Sequence, residues 1–238
     1  MDIGFFSYNS DFGVRPETLA KELEARDFDS LWVGEHTHIP ASRKTPFPGG
    51  IDLPRPYYHF RDPFVSLTMA AAVTKKLKIA TGVCLVVQHD PIVLAKSVAT
   101  LDHLSEGRFQ FGIGGGWNQE EMENHGQQFH RRWKLLRERI EAMKEIWTEE
   151  EASYAGEFVN FEKIISYPKP KQTPHPPVLM GGATEMSLKR VARYCDGWMP
   201  IDALLKNPAA MVAKLRNIVA EQGRDPEGIN LSAFCQKN

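Results

Sequence analysis

The residues best suited to chemistry stand just behind short apolar runs. After SLWVG (30–34) comes Glu35-His36-Thr37-His38-Ile39-Pro40. An imidazole titrates near neutral pH, so His36 can give or take a proton at a reacting centre; a plain loop or capping histidine is the competing reading. The His-x-His spacing also raises a metal site. That chemistry needs further ligands at later strand ends, and those ends read Gly181-Gly182-Ala183-Thr184 and Met199-Pro200, with no imidazole. No metal is expected.

Glycines mark the other positions. Thr81-Gly82-Val83 places a glycine inside an apolar run, where it signals a bulge or a close backbone approach. Gly112-Ile113-Gly114-Gly115-Gly116-Trp117-Asn118 resembles a dinucleotide fingerprint but fails it, because Trp117 stands where the third glycine is required. Three consecutive glycines still let the backbone approach something flat or bulky. Gly181-Gly182-Ala183-Thr184 leads straight into a helical pattern. Free N–H groups there, with the Thr184 hydroxyl, suit a phosphate; a tight turn with Thr184 as its N-cap accounts for the same residues. A flat ring with a phosphate tail needs both kinds of site.

These residues have to be held by the elements that precede them. Apolar runs predict strands at Asp2–Ser7, Ser30–Gly34, Leu77–Val87, Arg108–Ile113, Val178–Met180, Gly197–Met199 and Ile229–Ala233. Between them lie amphipathic stretches that predict helices at Pro16–Arg26, Pro63–Lys75, Pro91–Leu104, Phe129–Thr148, Thr184–Tyr194 and Pro208–Gln222. Strands that do not alternate, separated by helices, imply a parallel sheet with right-handed crossovers, and eight such units close a barrel. Seven are readable here. Two stretches break the pattern: Ala41–Arg61, a Pro- and Gly-rich loop, and Ser153–Pro177, an insertion before the fifth strand that includes a short hairpin. Both are candidates for substrate specificity. One domain over 1–238 is expected.

Composition narrows the partners. Twenty-nine basic against 30 acidic residues give a net charge of −1, no electrostatic basis for binding nucleic acid or an anionic membrane. Cys84, Cys195 and Cys235 are far apart and odd in number, which suits a reducing compartment and gives no CxxC zinc spacing. The first residues lack a signal-peptide pattern and no apolar run is long enough to span a bilayer. The expected location is the cytoplasm.

Over nearly the whole chain the sequence resembles the luciferase-like monooxygenase superfamily, and within it the deazaflavin-dependent oxidoreductases. The matching stretches are SLWVGEHTHIP (30–40), DPFVSLTMAAAVTKKLKIATGV (62–83), DPIVLAKSVATLDHLSEGRFQFGIGGGWNQEE (90–121), FHRRWKLLRERIEAMKEIW (129–147) and PHPPVLMGGATEMSLKRVARYCDGW (174–198). LDHLSEGR through GGGW is the most specific of them. The resemblance implies an α/β, TIM-barrel-like (β/α)8 fold with an insertion before strand five, here apparently lacking the eighth strand. It places His36 near the reactive ring as the catalytic residue, with Thr81, Gly82 and Val83 behind that ring. Relatives have a non-prolyl cis peptide at the position matching Gly82–Val83, and the same is expected here. Gly114, Gly115 and Asn118 should flank the cofactor, and Gly181, Gly182, Ala183 and Thr184 should meet its phosphate. Glu35 carries no assignment, since its position varies in the family. Glu120 and Glu121 are expected at a solvated helix start, and Arg108 and Arg132 in structural ion pairs.

The implied activity is hydride transfer between reduced coenzyme F420, a deazaflavin, and a small organic substrate. One alternative is a monooxygenase using reduced FMN, with a separate flavin reductase as its partner; another is a cofactor-binding barrel without catalysis. The stripe along Phe129–Trp147 is either core packing or part of a homodimer surface.

Overall fold

The structure is a computed structural model, and residues 1–48, 50 and 52–235 are described. Positions 49 and 51 of the Ala41–Arg61 loop lie outside the described residues. Seven short parallel strands form one curled sheet in the order β1-β2-β3-β4-β7-β8-β9. They are β1 (Gly4–Ser7), β2 (Ser30–Val33), β3 (Lys78–Thr81), β4 (Phe109–Ile113), β7 (Val178–Gly181), β8 (Gly197–Met199) and β9 (Asn230–Leu231). The insertion before the fifth parallel strand contains the antiparallel hairpin of β5 (Ala152–Ala155) and β6 (Asn160–Ile164). All seven strands predicted from the apolar runs are present.

Helices α1 (Pro16–Ala25), α2 (Pro63–Ala72), α3 (Pro91–Leu104), α5 (Arg132–Thr148), α6 (Glu185–Tyr194) and α7 (Pro208–Glu221) follow the predicted pattern, and a short α4 (Gln119–Asn124) was not foreseen. Three helices start with the same device, an Asp or Asn cap followed by proline. Asp62 accepts from the Val65 N–H, Asp90 from those of Ile92 and Val93, and Asn207 from that of Ala210. The proline occupies the first helical position, where its missing N–H costs nothing.

Most of the core lies between the sheet's outer face and the helices. It includes Leu31, Ile79, Phe109, Phe111 and Met180 from strands and Leu67, Leu94, Val98, Leu136, Ile140 and Val191 from helices. A smaller cluster fills the inside of the curl: Trp32, Ala80, Leu179 and Met199, with Val83 and Phe234 packed against them. The stripe on α5 (Leu135, Leu136, Ile140, Met143, Ile146, Trp147) belongs to this chain's own core, so it is not an exposed docking face. Strands β1 and β9 are the edges of the sheet, each paired on one side only.

The third predicted strand is too long. It ends at Thr81, the Gly82–Val83 peptide is cis, and Val86–Gln88 forms a 3₁₀ turn. An apolar run cannot distinguish a buried strand from a buried turn. Arg108 is also not ion-paired as expected. Its guanidinium donates to the carbonyls of Ala71, Thr74, Leu77 and Ser105 and to the Thr74 hydroxyl, at 2.7–3.2 Å, tying the end of α2 to the starts of β3 and β4.

Candidate active site at the carboxyl ends of the strands

β2 delivers His36 into a buried setting. Its side chain is 6% exposed, and Nδ1 lies 2.7 Å from Oε2 of Glu121, itself 1% exposed. Glu121 sits in the first turn of α4, which Asn118 caps by accepting the Glu121 N–H at 3.3 Å. A carboxylate can only accept, so Nδ1 carries the hydrogen and Nε2 is the nitrogen left for a reacting group. The other Glu121 oxygen, Oε1, is buried without a hydrogen-bond partner. The expectation of a solvated Glu121 is therefore corrected: the triple-glycine turn folds α4 back across the end of β2. Around the imidazole stand Tyr57, Phe60 and Trp117, with ring centroids at 5.4, 5.8 and 5.7 Å. Burial pushes the Tyr57 hydroxyl up to about 12, with Tyr8 adding to it, so Tyr57 stays protonated at neutral pH.

Glu35, the neighbour of His36, faces elsewhere. It is buried and accepts the Leu85 N–H at 2.5 Å and the His89 Nε2 at 2.7 Å, with the Cys84 thiol as a further donor. Burial alone would raise its carboxyl; these donors outweigh it and hold the group below its usual range. Burial lowers His89, but the Glu35 contact prevails and raises it, while burial and then the Glu35 charge push the Cys84 thiol well up. Glu35, Cys84 and His89 bring their ligand atoms within 4.8 Å of one another. Each neighbour donates to the carboxylate, so the trio acts as a clamp that ties the end of β2 to the segment after β3. The His-x-His pair does not converge: His36 meets Glu121, whereas His38 Nε2 lies 2.9 Å from Asn124 Nδ2.

The glycine-bearing ends meet around Val83. A side chain at Gly114 would lie 2.6 Å from Val83 Cγ2, and one at Gly181 would lie 3.5 Å from Val83 Cγ1. Thr81 is fully buried and donates from Oγ1 to the Gly112 carbonyl at 2.7 Å. Gly112 is the tightest of these positions, because a Cβ there would come within 2.0 Å of the Thr81 oxygen. Thr81, Gly82, Val83, Gly114 and Gly181 are thus brought together. Gly115 faces instead toward the Trp133 ring of α5, where a Cβ would come within 2.6 Å.

Gly182 has φ +117° and gives its carbonyl to Trp198 Nε1 at 2.7 Å. Thr184 caps α6, its Oγ1 accepting the Ser187 N–H at 3.1 Å. A feature the sequence did not announce links α5 and α6. Arg190 of α6 stacks on Trp133 with its Cζ 3.9 Å from the ring centroid, and Arg132 approaches the same ring at 5.1 Å. Arg132 also donates to the Phe129 carbonyl, but neither guanidinium meets a carboxylate, and Arg132 Nε is buried without a partner. The expected Arg132 ion pair is replaced by two neighbouring cations. Burial first, and then the Arg190 charge, lower the Arg132 pKa.

The carboxyl ends of the strands thus bring together a buried His–Glu pair, convergent glycines and, among the described residues, two arginines that meet no carboxylate. Residues 15–236 match the sequence model of the luciferase-like monooxygenase family, and the chain belongs to that family. It is 47% identical over 231 residues to an uncharacterized protein of Mycobacterium tuberculosis, Rv0953c, covering 94% of this chain and 80% of that one. It is 30% identical over 166 residues to the FMNH2-dependent dimethylsulfone monooxygenase of Pseudomonas putida, covering 68% of this chain and 45% of that one. The fold is shared with the coenzyme F420-dependent tetrahydromethanopterin reductase of Methanopyrus kandleri, with TM-score 0.75, 21% identity, and 98% and 65% of the two chains covered. Among the described residues no helix is long and apolar enough to cross a membrane.

Proposed function

We propose that this chain is a cytoplasmic oxidoreductase that transfers a hydride between reduced coenzyme F420 and a small organic substrate. The observation that carries the reading is the buried His36–Glu121 pair just beyond β2, whose end pairs with Thr81 at the end of β3. Hydride transfer to a carbonyl, imine or activated double bond must be balanced by a proton. The imidazolium form of His36, its Nδ1–H held by the Glu121 carboxylate, can give that proton from Nε2 and is left as the neutral ring with its hydrogen on Nδ1.

The residues present fit a flat ring with an anionic tail. Gly114 lets the Val83 side chain pack directly on its backbone, since a Cβ there would come within 2.6 Å of Val83 Cγ2, and Gly181 borders the same side chain. Thr81, Gly82 and Val83 would back the ring, with Gly115 and Asn118 holding the turn that borders it. Gly182, Ala183 and Thr184 with the first N–H groups of α6 would take the phosphate, and Arg132 and Arg190 would supply the positive charge that two unpaired guanidiniums leave uncompensated. A deazaflavin held there would supply the hydride. The protein orients it, excludes water through the Tyr57, Phe60 and Trp117 rings, and holds the proton on His36.

A second reading, oxygen activation with reduced FMN and a partner reductase, is favoured by the similarity to the Pseudomonas putida FMNH2-dependent enzyme. Fluorescence titration of the purified chain with each cofactor, oxidised and reduced, tests the choice. Binding of the deazaflavin in preference to FMN is the expected result. Preference for reduced FMN, with oxygen consumption, would replace the first reading by the second, and binding of neither would overturn both.

A further inference from the structure

The loop after β2 contains a cation that meets no carboxylate among the described residues. Arg43 has a left-handed backbone, with φ +48°, a conformation that side chains other than Gly, Asn and Asp adopt infrequently. The loop is fastened on both sides of it: the Ser42 hydroxyl donates to Glu120 Oε1, and the Thr45 N–H donates to Glu120 Oε2 at 2.7 Å. Glu120 is thus occupied by Ser42 and Thr45, and its carboxylate forms no ion pair with Arg43. The guanidinium lies over Trp117 with Cζ 5.9 Å from the ring centroid, and Nη1 is buried with no hydrogen-bond partner. Trp117 is the same ring that stands 5.7 Å from His36.

Aromatic faces extend from this point around the mouth of the site. Phe47 meets both Trp117 and Tyr57, at 5.4 and 5.1 Å, and Tyr57 stacks on Phe60 at 5.1 Å. Tyr8 reaches Tyr57 and Phe60, at 5.7 and 6.1 Å. A fixed guanidinium with a buried, unmet donor costs free energy unless something supplies an acceptor. A single planar fork matches a carboxylate, and a cluster of aromatic side chains, packed mostly edge to face, matches a flat, apolar body.

We infer that the substrate is a planar aromatic or conjugated carboxylate, its acid group held by Arg43 and its unsaturated carbon toward His36. This rests on the proposed function above, in which His36 marks the reacting end. The specificity-determining residue is Arg43, placed by Glu120.

The test is calorimetric binding of trans-cinnamate and, separately, cinnamamide to the full chain without cofactor, using wild type, Arg43→Met and Arg43→Lys. Cinnamate should bind wild type at least about tenfold tighter than the amide. Arg43→Met should erase that preference with amide affinity retained, and Arg43→Lys should keep part of it; circular dichroism and thermal melts establish that each variant is folded. Equal binding of acid and amide by wild type, no binding of either, or a preference surviving Arg43→Met overturns the inference. Deazaflavin titration of Arg43→Met forms a separate arm. Unchanged affinity is expected, and a loss would assign Arg43 to the cofactor's acidic tail instead. Failure of wild type to bind any cofactor would sink the proposed function while leaving the cinnamate result standing.

Discussion

Nδ1 of His36 and Oε2 of Glu121 lie 2.7 Å apart, although the two residues are 85 positions apart in the chain. Glu121 acts on the reaction only through the imidazole, fixing which nitrogen carries hydrogen and which faces the mouth. His36→Ala should lower turnover by about 10²–10⁴. Glu121→Gln should lower it by about tenfold to a hundredfold, the worth of a hydrogen bond to a charged group, and should also displace the pH profile of kcat. Cofactor affinity is expected to survive both changes. Equal turnover by His36→Ala and wild type would remove His36 from the mechanism.

The arginine pair makes a prediction about salt. Arg132 and Arg190 share the Trp133 ring without a carboxylate between them. If they meet the cofactor's anionic tail, Arg190→Ala should weaken cofactor binding by about ten- to a hundredfold. The wild-type dissociation constant should rise with ionic strength more steeply than that of the variant. Parallel salt dependence in the two proteins would mean that Arg190 is not a ligand.

The Glu35–His89 contact predicts how stability follows pH. Glu35 is held below its ordinary value near 4.5, so its contribution is present above that pH and is lost as pH falls through the lowered folded value. His89 is raised above its ordinary value near 6.5, so its contribution is complete below that pH and is lost as pH rises through the raised folded value. The pair stabilises most between those two ordinary values. Urea midpoints measured across that range should fall off on both sides, and His89→Gln should flatten the alkaline side. An unchanged alkaline slope in the variant would refute the assignment.

Gly112 is required for steric reasons. A methyl group there would meet the Thr81 carbonyl oxygen at 2.0 Å and the Met199 Cε at 2.8 Å. Gly112→Ala should destabilise the fold by about 3 kcal/mol or more, read as a lowered urea midpoint, whereas Gly126→Ala, at φ +74° with nothing within 4 Å, should cost about 1 kcal/mol.

Arg108 offers a comparable test away from the site. Arg108→Met would leave carbonyls at the end of α2 and the starts of β3 and β4 without their donor. A loss of about 2–4 kcal/mol is expected. A thermal melt within a degree of wild type would show that water replaces the guanidinium.

What was legible in the sequence was governed by periodicity and by backbone chemistry. The seven strands and six longer helices follow from apolar spacing, and the insertion shows as a break in that spacing. His36 and the glycine turns were singled out as candidates because their residue types carry local meaning. Glu121 was not, since nothing in Asn118-Gln119-Glu120-Glu121 reveals which side of a one-and-a-half-turn helix faces inward. Glu35 was left unassigned and Arg108 was misjudged for a related reason: a charged residue's partner is decided by tertiary packing, here Leu85 and His89 for one and a set of carbonyls for the other. The Arg132–Arg190 pair joins two helices separated by the entire insertion, a distance over which sequence spacing carries no information.

Phe6 at the first edge of the sheet touches Phe234 beyond the last, with ring centroids 5.4 Å apart. Phe234 in turn presses on Gly82. The contact therefore closes a loop almost as long as the chain itself, and long-range closures of this kind come late and slowly in folding. On a ribosome, strands β1 to β4 are made and paired well before Phe234 has been synthesised. The floor of the mouth, unlike the His36–Glu121 pair, cannot be assembled until Phe234 itself has been made.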